Sequence, residues 1–202
     1  MTKNHPIGTR DYLPAAGSDR RLRLYDPMST VFRIGRVHRR LLADAASAPG
    51  MDVLEIGCGT GNLLRSVLRG EPMVRAVGID PDPLALRIAR RKVPGARLDE
   101  GYAQRLPYGD DSFDRVLSAF MFHHLSPEVQ REVAAEVRRA LRPGGSVHIV
   151  DVMGHRHGAE EGATFAVDEY AVPRVFDTAG VDLGVVRTAR MWPFGRIAYY
   201  RG

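Results

Sequence analysis

The feature that most restricts this chain is an apolar run, Val53-Leu54-Glu55-Ile56, that passes without a spacer into Gly57-Cys58-Gly59-Thr60-Gly61-Asn62. The aliphatic run favours a buried strand. Glycines at every second position let the main chain take positive φ and let a ligand lie against it. A dinucleotide fingerprint would read G-x-G-x-x-G and receive a pyrophosphate on the following helix. Here the spacing is G-x-G-x-G and an acid, Glu55, precedes it. An acid in that place repels phosphate but accepts a hydrogen bond from an ammonium group. The turn therefore suits an amino-bearing, cationic nucleoside better than a dinucleotide, the plainer alternative being a tight turn whose glycines serve packing alone. Asp80 ends a second apolar run, Val77-Gly78-Ile79-Asp80. An acid about twenty residues beyond the turn can chelate both hydroxyls of a ribose. Taken alone, Asp80 would pass for a helix N-cap; with the glycine turn it makes a nucleoside site.

Around these sites strand and helix signals alternate. Strands are expected at Met51–Ile56, Val74–Asp80, Ala96–Asp99, Phe113–Ala119 and Ser146–Val152. Helices are expected from the glycine turn to about Arg69, at Pro83–Lys92 and at Pro127–Leu141, where Val129, Val133, Val137 and Leu141 recur at helical spacing. The tail reads as a helix, Ala166–Thr178, and two strands, Val181–Ala189 and Gly195–Tyr200, close enough to pair as an antiparallel hairpin. Such alternation predicts an α/β fold with a mostly parallel sheet covered on both faces. Residues 1–50 differ: an irregular arm to Gly17, then basic helices from Ser18 to Ser47 broken at Asp26-Pro27. This segment is expected to cover the nucleoside-binding unit of residues 51–202 as a lid.

Val53 to Asn62 resembles the first motif of the class I S-adenosylmethionine-dependent methyltransferases, and Gly78-Ile79-Asp80 their second. Leu106 to Asp114 and Leu141 to Ser146 resemble the segments around their fourth and fifth strands. The nearest likeness is to the branch that holds ubiquinone and menaquinone methyltransferases. It implies a Rossmann-like, doubly wound sheet of seven strands with an antiparallel last strand, and S-adenosyl-L-methionine as cofactor, leaving S-adenosyl-L-homocysteine. It implies that Glu55, Gly57, Cys58, Gly59, Gly61 and Asn62 hold the methionine part, and Asp80 with Pro81 the ribose. Ser118, Ala119 and Phe120 would line the reacting methyl, and Tyr25 would close over the cofactor. Relatives often carry Gly-Asp-Ala after the third strand, where the acid binds adenine. This chain has Gly101-Tyr102-Ala103, so Gln104 or the main chain at Ala103 would read that edge and Tyr102 would stack nearby.

A sulfonium methyl is already activated, so transfer needs chiefly an aligned, desolvated nucleophile. A base helps when the acceptor is a phenol, an enol or an ammonium group. His123 and His124, just after the fourth expected strand, are the catalytic candidates; the plainer reading is that one of them orders the turn before Ser126-Pro127. Phe32, Met121, Phe122 and Trp192 are candidates for an apolar acceptor wall, each reading equally well as plain core. His155 and His157 form H-x-H in a polar loop that lacks the further ligands a metal site needs, and no metal is expected. Cys58 has nothing basic beside it in sequence and reads as packing or lining.

Composition narrows the partners. The single cysteine among 202 residues excludes a disulfide framework. No apolar run approaches a membrane span and the start lacks a signal-peptide core, so a soluble, cytoplasmic protein is expected. The net charge is +5, and Lys3 and Lys92 are the only lysines beside 27 arginines. Arg20, Arg21, Arg23, Arg33, Arg36, Arg39 and Arg40 concentrate in the expected lid, which raises peripheral contact with an anionic bilayer, the plainer alternative being a coding bias toward arginine on a solvated surface. The acceptor is thus expected to be a small or lipidic metabolite: a natural product, a quinone or a phospholipid headgroup. Nucleic acid is disfavoured, since no base-gripping N-P-P-Y motif follows the fourth strand. A homodimer is compatible with the short lid. The remaining reading is a cofactor-binding protein that transfers no methyl.

Overall fold

In the computed structural model, residues 34–153, 170–192 and 195–202 are described. Seven strands form one sheet: β1 Asp52–Ile56, β2 Arg75–Asp80, β3 Arg97–Glu100, β4 Phe113–Ala119, β5 Leu141–Met153, β6 Gly184–Met191 and β7 Gly195–Arg201. The helices are α1 Ile34–Ala45, α2 Asn62–Gly70, α3 Pro83–Lys92, α4 Pro127–Ala140 and α5 Ala171–Asp177, with a single 3-10 turn at Phe122–His124. Strand order is β3-β2-β1-β4-β5-β7-β6, in which only β7 runs antiparallel to its neighbours. The chain reverses direction outward from β1, once toward β3 and once toward β5, so the C-terminal ends of β1 and β4 flank a crevice. Open α/β sheets bind ligands at such a switch point.

Period-two alternation sorts the side chains onto the two faces. Val53 of β1, Leu117 of β4 and Val150 and Val152 of β5 bury against α1, α2 and α3. Leu54 and Ile56, Val116, Val147 and Ile149 bury on the opposite face with α4 and α5. Glu55 shares the parity of Val53 and so points to the α2 face. Helix starts are fixed by short polar groups. The Asp82 side chain accepts from Leu84 N at 2.8 Å and Ala85 N at 3.2 Å, and Ser126 caps α4 by accepting from Val129 N. Pro83 and Pro127 stand in first turns, where a missing N–H costs nothing.

The sequence expectation holds for element order and for β4 and α3, whose bounds agree. β5 is longer than expected because Pro143-Gly144-Gly145 lies within it: Leu141 already pairs with Phe113 before an irregularity ends at Arg115–Ser146. α4 correspondingly stops at Ala140. β6 starts at Gly184 because the Val181 N–H is taken by the Phe176 carbonyl as α5 ends. Of the expected cover, Ile34–Ala45 is an amphipathic helix that buries Ile34, Val37, His38, Leu41 and Ala45. Residues 1–33 and the proposed H-x-H at 155–157 lie outside the described residues.

The glycines of the first two motifs do different work. A Cβ on Gly78 would stand 2.6 Å from Leu64 Cδ1, 2.9 Å from Cys58 Sγ and 2.9 Å from Leu98 Cδ2, so its bareness lets α2 sit on the sheet. Gly59 has φ +50° and nothing within 4 Å of a built Cβ. Gly78→Ala should therefore cost about 1–3 kcal/mol from overpacking, while Gly59→Ala should cost about 1 kcal/mol of backbone strain. Urea unfolding of the two variants checks the order.

Candidate functional site

Two residues at the end of β2 organise the crevice. The Ile79 carbonyl accepts from Gly57 N at 2.9 Å and Cys58 N at 3.1 Å, which fixes the start of the glycine turn. Asp80 Oδ2 accepts from Gly59 N at 2.8 Å, and Oδ1 accepts from Asp82 N at 2.9 Å. The Asp80 carbonyl accepts from Gly101 N at 3.2 Å and so holds the loop after β3. Three strand-end loops thus meet on one residue pair.

α2 begins at Gly61, which is left-handed at φ 77° and offers no side-chain cap. The first-turn N–H of Leu64 donates instead to Glu55 Oε2 at 3.0 Å, so a strand carboxylate caps the helix. Glu55 is 3% exposed, and burial pushes its carboxyl well above the ordinary range, against the hydrogen bond from Leu64. Burial also raises Asp80, countered by its bonds from Asp82 and Gly59. Lys92 Nζ donates to Asn62 Oδ1 at 2.8 Å and to Thr60 Oγ1 at 3.2 Å, and thereby anchors the far side of the turn to α3. The Cys58 thiol is buried and pushed well up by desolvation and by Glu55 and Asp80, which makes it lining and not a nucleophile.

These groups open onto one cavity of about 400 Å³. Of the expected cofactor residues, Glu55, Gly57, Cys58, Gly59, Asn62, Asp80, Pro81, Ala103, Gln104, Ala119 and Phe120 line it. Tyr102 lines it too and is 38% exposed, at the rim. Gly61 stands behind the turn, where a Cβ would meet Ala89 Cβ at 3.1 Å. Ser118 does not reach the cavity: its parity is that of Val116, and its fully buried Oγ has no hydrogen-bond partner among the described residues. Tyr25 lies outside the described residues.

The histidine pair divides. His124 lines the cavity; His123 does not. His123 Nδ1 donates to Asp151 Oδ1 at 2.5 Å, and its main-chain N–H donates to Asp151 Oδ2 at 3.2 Å. Asp151 is fully buried on β5, so it clamps the 3-10 turn to the sheet. The two imidazole centroids are 3.8 Å apart and tilted by 43°. Burial, then the neighbouring His123, lowers His124 to about 4, and its buried Nδ1 has no partner. His124 is therefore uncharged at neutral pH. Of the expected acceptor wall, Met121 lines the cavity, whereas Phe122 is fully buried against Phe176, centroids 5.7 Å apart, and Trp192 is 78% exposed at the end of β6. Both are corrections: the turn after β4 points Phe122 inward, and β6 is the sheet's outer edge. Phe32 lies outside the described residues.

Sequence reasoning missed His38, Leu125 and Val129, which also line the cavity. The signal for His38 was present, since it follows Ile34 by one helical turn on the same apolar stripe. A histidine within such a stripe reads by default as core.

Residues 53–145 match the methyltransferase domain family. That matched stretch is somewhat under half of the chain and is similar to a methyltransferase domain. An uncharacterized methyltransferase of Synechocystis is 34% identical over 117 residues, 58% of this chain and 54% of that protein. A demethylmenaquinone methyltransferase of Deinococcus radiodurans is 35% identical over 159 residues, 75% of this chain and 65% of that one. A phosphoethanolamine N-methyltransferase of Haemonchus contortus, solved in complex with S-adenosyl-L-methionine, shares the fold with a TM-score of 0.76, at 19% identity over 92% of this chain and 48% of its own. The chain spans about half the length of the curated relatives it matches.

The residues present suit S-adenosyl-L-methionine, the cofactor that the sequence resemblance implies. A buried carboxylate, Glu55, and a half-buried one, Asp80, call for positive or hydrogen-bond-donating partners, and the bare face of Gly59 lets a ligand approach the main chain. Glu55→Gln and Asp80→Asn should each weaken S-adenosylmethionine binding about 10–100-fold, the loss of a hydrogen bond to a charged group. The anion is the form that receives the cation, and both carboxyls are held above the usual carboxylate range. Affinity should therefore fall as pH drops through that raised range, earlier than an ordinary carboxylate would allow. Calorimetric titration from pH 8 to pH 5 checks both.

Proposed function

We propose that the protein transfers a methyl group from S-adenosyl-L-methionine to O, N or C of a small or lipidic metabolite. The observation that carries this reading is the joining, in one cavity, of an acid-and-glycine cradle at β1 and β2 with an apolar wall bearing His124 beyond β4. When bound, the cofactor supplies a methyl on a cationic sulfur, ready for direct displacement. Glu55 and the glycine turn hold its methionine end, Asp80 its ribose, and Tyr102, Ala103 and Gln104 its base. Phe120, Met121, Leu125 and Val129 exclude water from the acceptor.

For an acceptor bearing O–H or N–H, the residues beyond β4 would hold the heteroatom, free of water, toward the methyl that the bound cofactor supplies. The acceptor's proton passes to the uncharged imidazole of His124. Asp151 and His123 act as positioning residues by fixing the turn that presents it. His124→Ala should lower kcat about 10²–10³-fold with cofactor affinity unchanged. Asp151→Asn should lower it less, through the orientation of the turn. Full turnover in both His123→Ala and His124→Ala would remove the base from this reading.

A lipid acceptor is supported by the outward face of α1, where Arg36, Arg39 and Arg40 are exposed, and by the demethylmenaquinone relative. No described helix is long and apolar enough to cross a membrane, so such contact would be peripheral. Binding to anionic liposomes at low salt that weakens steeply with added salt is the expected result, and no co-sedimentation would leave a freely diffusing metabolite. The second reading, cofactor binding without transfer, is favoured by Tyr102 at the place where relatives carry an adenine-binding acid. Tight S-adenosylhomocysteine binding with no turnover on any acceptor would support it.

A further inference from the structure

We infer that Glu136 and Arg139 of α4 are positioning residues for the nucleobase of bound S-adenosyl-L-methionine: they hold the loop after β3 as a rigid edge that tells a 6-amino purine from a 6-oxo purine. This rests on the methyltransferase reading and names two residues that act on the same cavity from outside it.

The stretch of that loop that lines the cavity, Gly101 to Gln104, belongs to no helix or strand, so its neighbours must fix its main chain. At its start the Asp80 carbonyl accepts from Gly101 N at 3.2 Å, and within it the Tyr102 carbonyl accepts from Arg105 N at 3.1 Å. Just beyond it, α4 takes both main-chain groups of Leu106. Leu106 N donates to Glu136 Oε2 at 2.7 Å, and the Leu106 carbonyl accepts from Arg139 Nη2 at 3.2 Å. Arg139 Nη1 donates to the Tyr108 carbonyl at 2.8 Å, and Nε donates to Glu136 Oε1 at 2.9 Å. All three guanidinium nitrogens are thus engaged. The Tyr108 hydroxyl donates to Asp99 Oδ2 at 3.0 Å and closes the loop back on β3. A lysine ammonium, being a single compact centre, cannot hold two carbonyls and a carboxylate set along such a fork.

Neither Glu136 nor Arg139 lines the cavity, so ligand contact is not their part. What the clamp leaves open points to the ligand. The main-chain N–H groups of Ala103 and Gln104, both cavity-lining residues, have no partner among the described residues. A main-chain group cannot exchange donor for acceptor, whereas the Gln104 amide can do so by turning over. A 6-amino purine carries a donor at the 6-position beside an acceptor at N1, and a 6-oxo purine reverses both. A rigid main-chain edge therefore leaves groups unpaired against the wrong base, while a loosened one adapts to either.

The test is calorimetric titration of the full chain with S-adenosylhomocysteine and S-inosylhomocysteine, beside thermal unfolding of each variant. Wild type should bind the adenine form about tenfold tighter or more. In Arg139→Lys that preference should fall about 5–10-fold, chiefly through weaker binding of the adenine form. Glu136→Gln, whose amide oxygen still accepts from Leu106 N, should keep most of it. Glu136→Ala, which leaves that N–H without its acceptor, should lose about threefold or more and carries the same test if Arg139→Lys does not fold. An unchanged preference in either folded variant, whatever its unfolding temperature, overturns the proposal, because the clamp would then serve stability alone. No preference in wild type also overturns it and leaves the methyltransferase reading standing. Failure of S-adenosylhomocysteine to bind wild type overturns the parent reading and the proposal with it.

Discussion

Everything at the top of the sheet hangs on the carboxylate and carbonyls at the end of β2. Ile79 and Asp80 receive N–H groups from Gly57, Cys58, Gly59, Asp82 and Gly101. Those donors come from three different loops, each of which would otherwise leave main-chain groups unpaired near an apolar cavity. The same carboxylate that ties the loops together faces the cavity, so the geometry of that end of the cavity is set before any ligand arrives. Glu55 repeats the device on the next strand, capping α2 and presenting its acid to the cavity. Buried acids so placed are costly in isolation and are tolerated because the main chain satisfies part of each.

How much of this was legible in the sequence follows from how local each signal is. Strand-to-glycine-turn-to-helix is contiguous, so Glu55, Gly57, Gly59 and Asp80 could be read residue by residue. Period-two and helical patterns gave the element order, and their bounds shifted where hydrogen bonding overrides propensity: β5 runs back through Pro143-Gly144 because Leu141 finds a partner at Phe113, and β6 starts late because the end of α5 takes the Val181 N–H. Side-chain direction at strand ends was less legible. Ser118 and Ala119 are neighbours, yet pleat parity buries the first and opens the second to the cavity. Phe122 and His124 likewise part company because a 3-10 turn separates them by most of a revolution. The stripe that holds His38 was legible locally, but only the packing of α1 shows which part of it is core and which faces the cavity.

The cations of this chain are divided by task. Arginine carries nearly all the positive charge and stays at the surface or in clasps such as Arg139, which donates to Glu136, Asp110 and the Leu106 and Tyr108 carbonyls. The one lysine among the described residues, Lys92, instead bonds Thr60 and Asn62 behind the glycine turn. A compact ammonium with rotatable donors suits two side-chain oxygens in a narrow space, where a planar fork would not seat.

The rims of the sheet carry a further consequence. β3, one edge, is four residues long and bears Arg97, Asp99 and Glu100. β6, the other, is irregular between Val185 and Arg187 and exposes Arg187 and Arg190. Short length, a broken register and bulky charged side chains are what deter a second chain from docking on open backbone groups. The β6 arginines thus oppose edge-to-edge pairing at one end of the open sheet, while at the other β3 offers only four residues of charged strand to pair with.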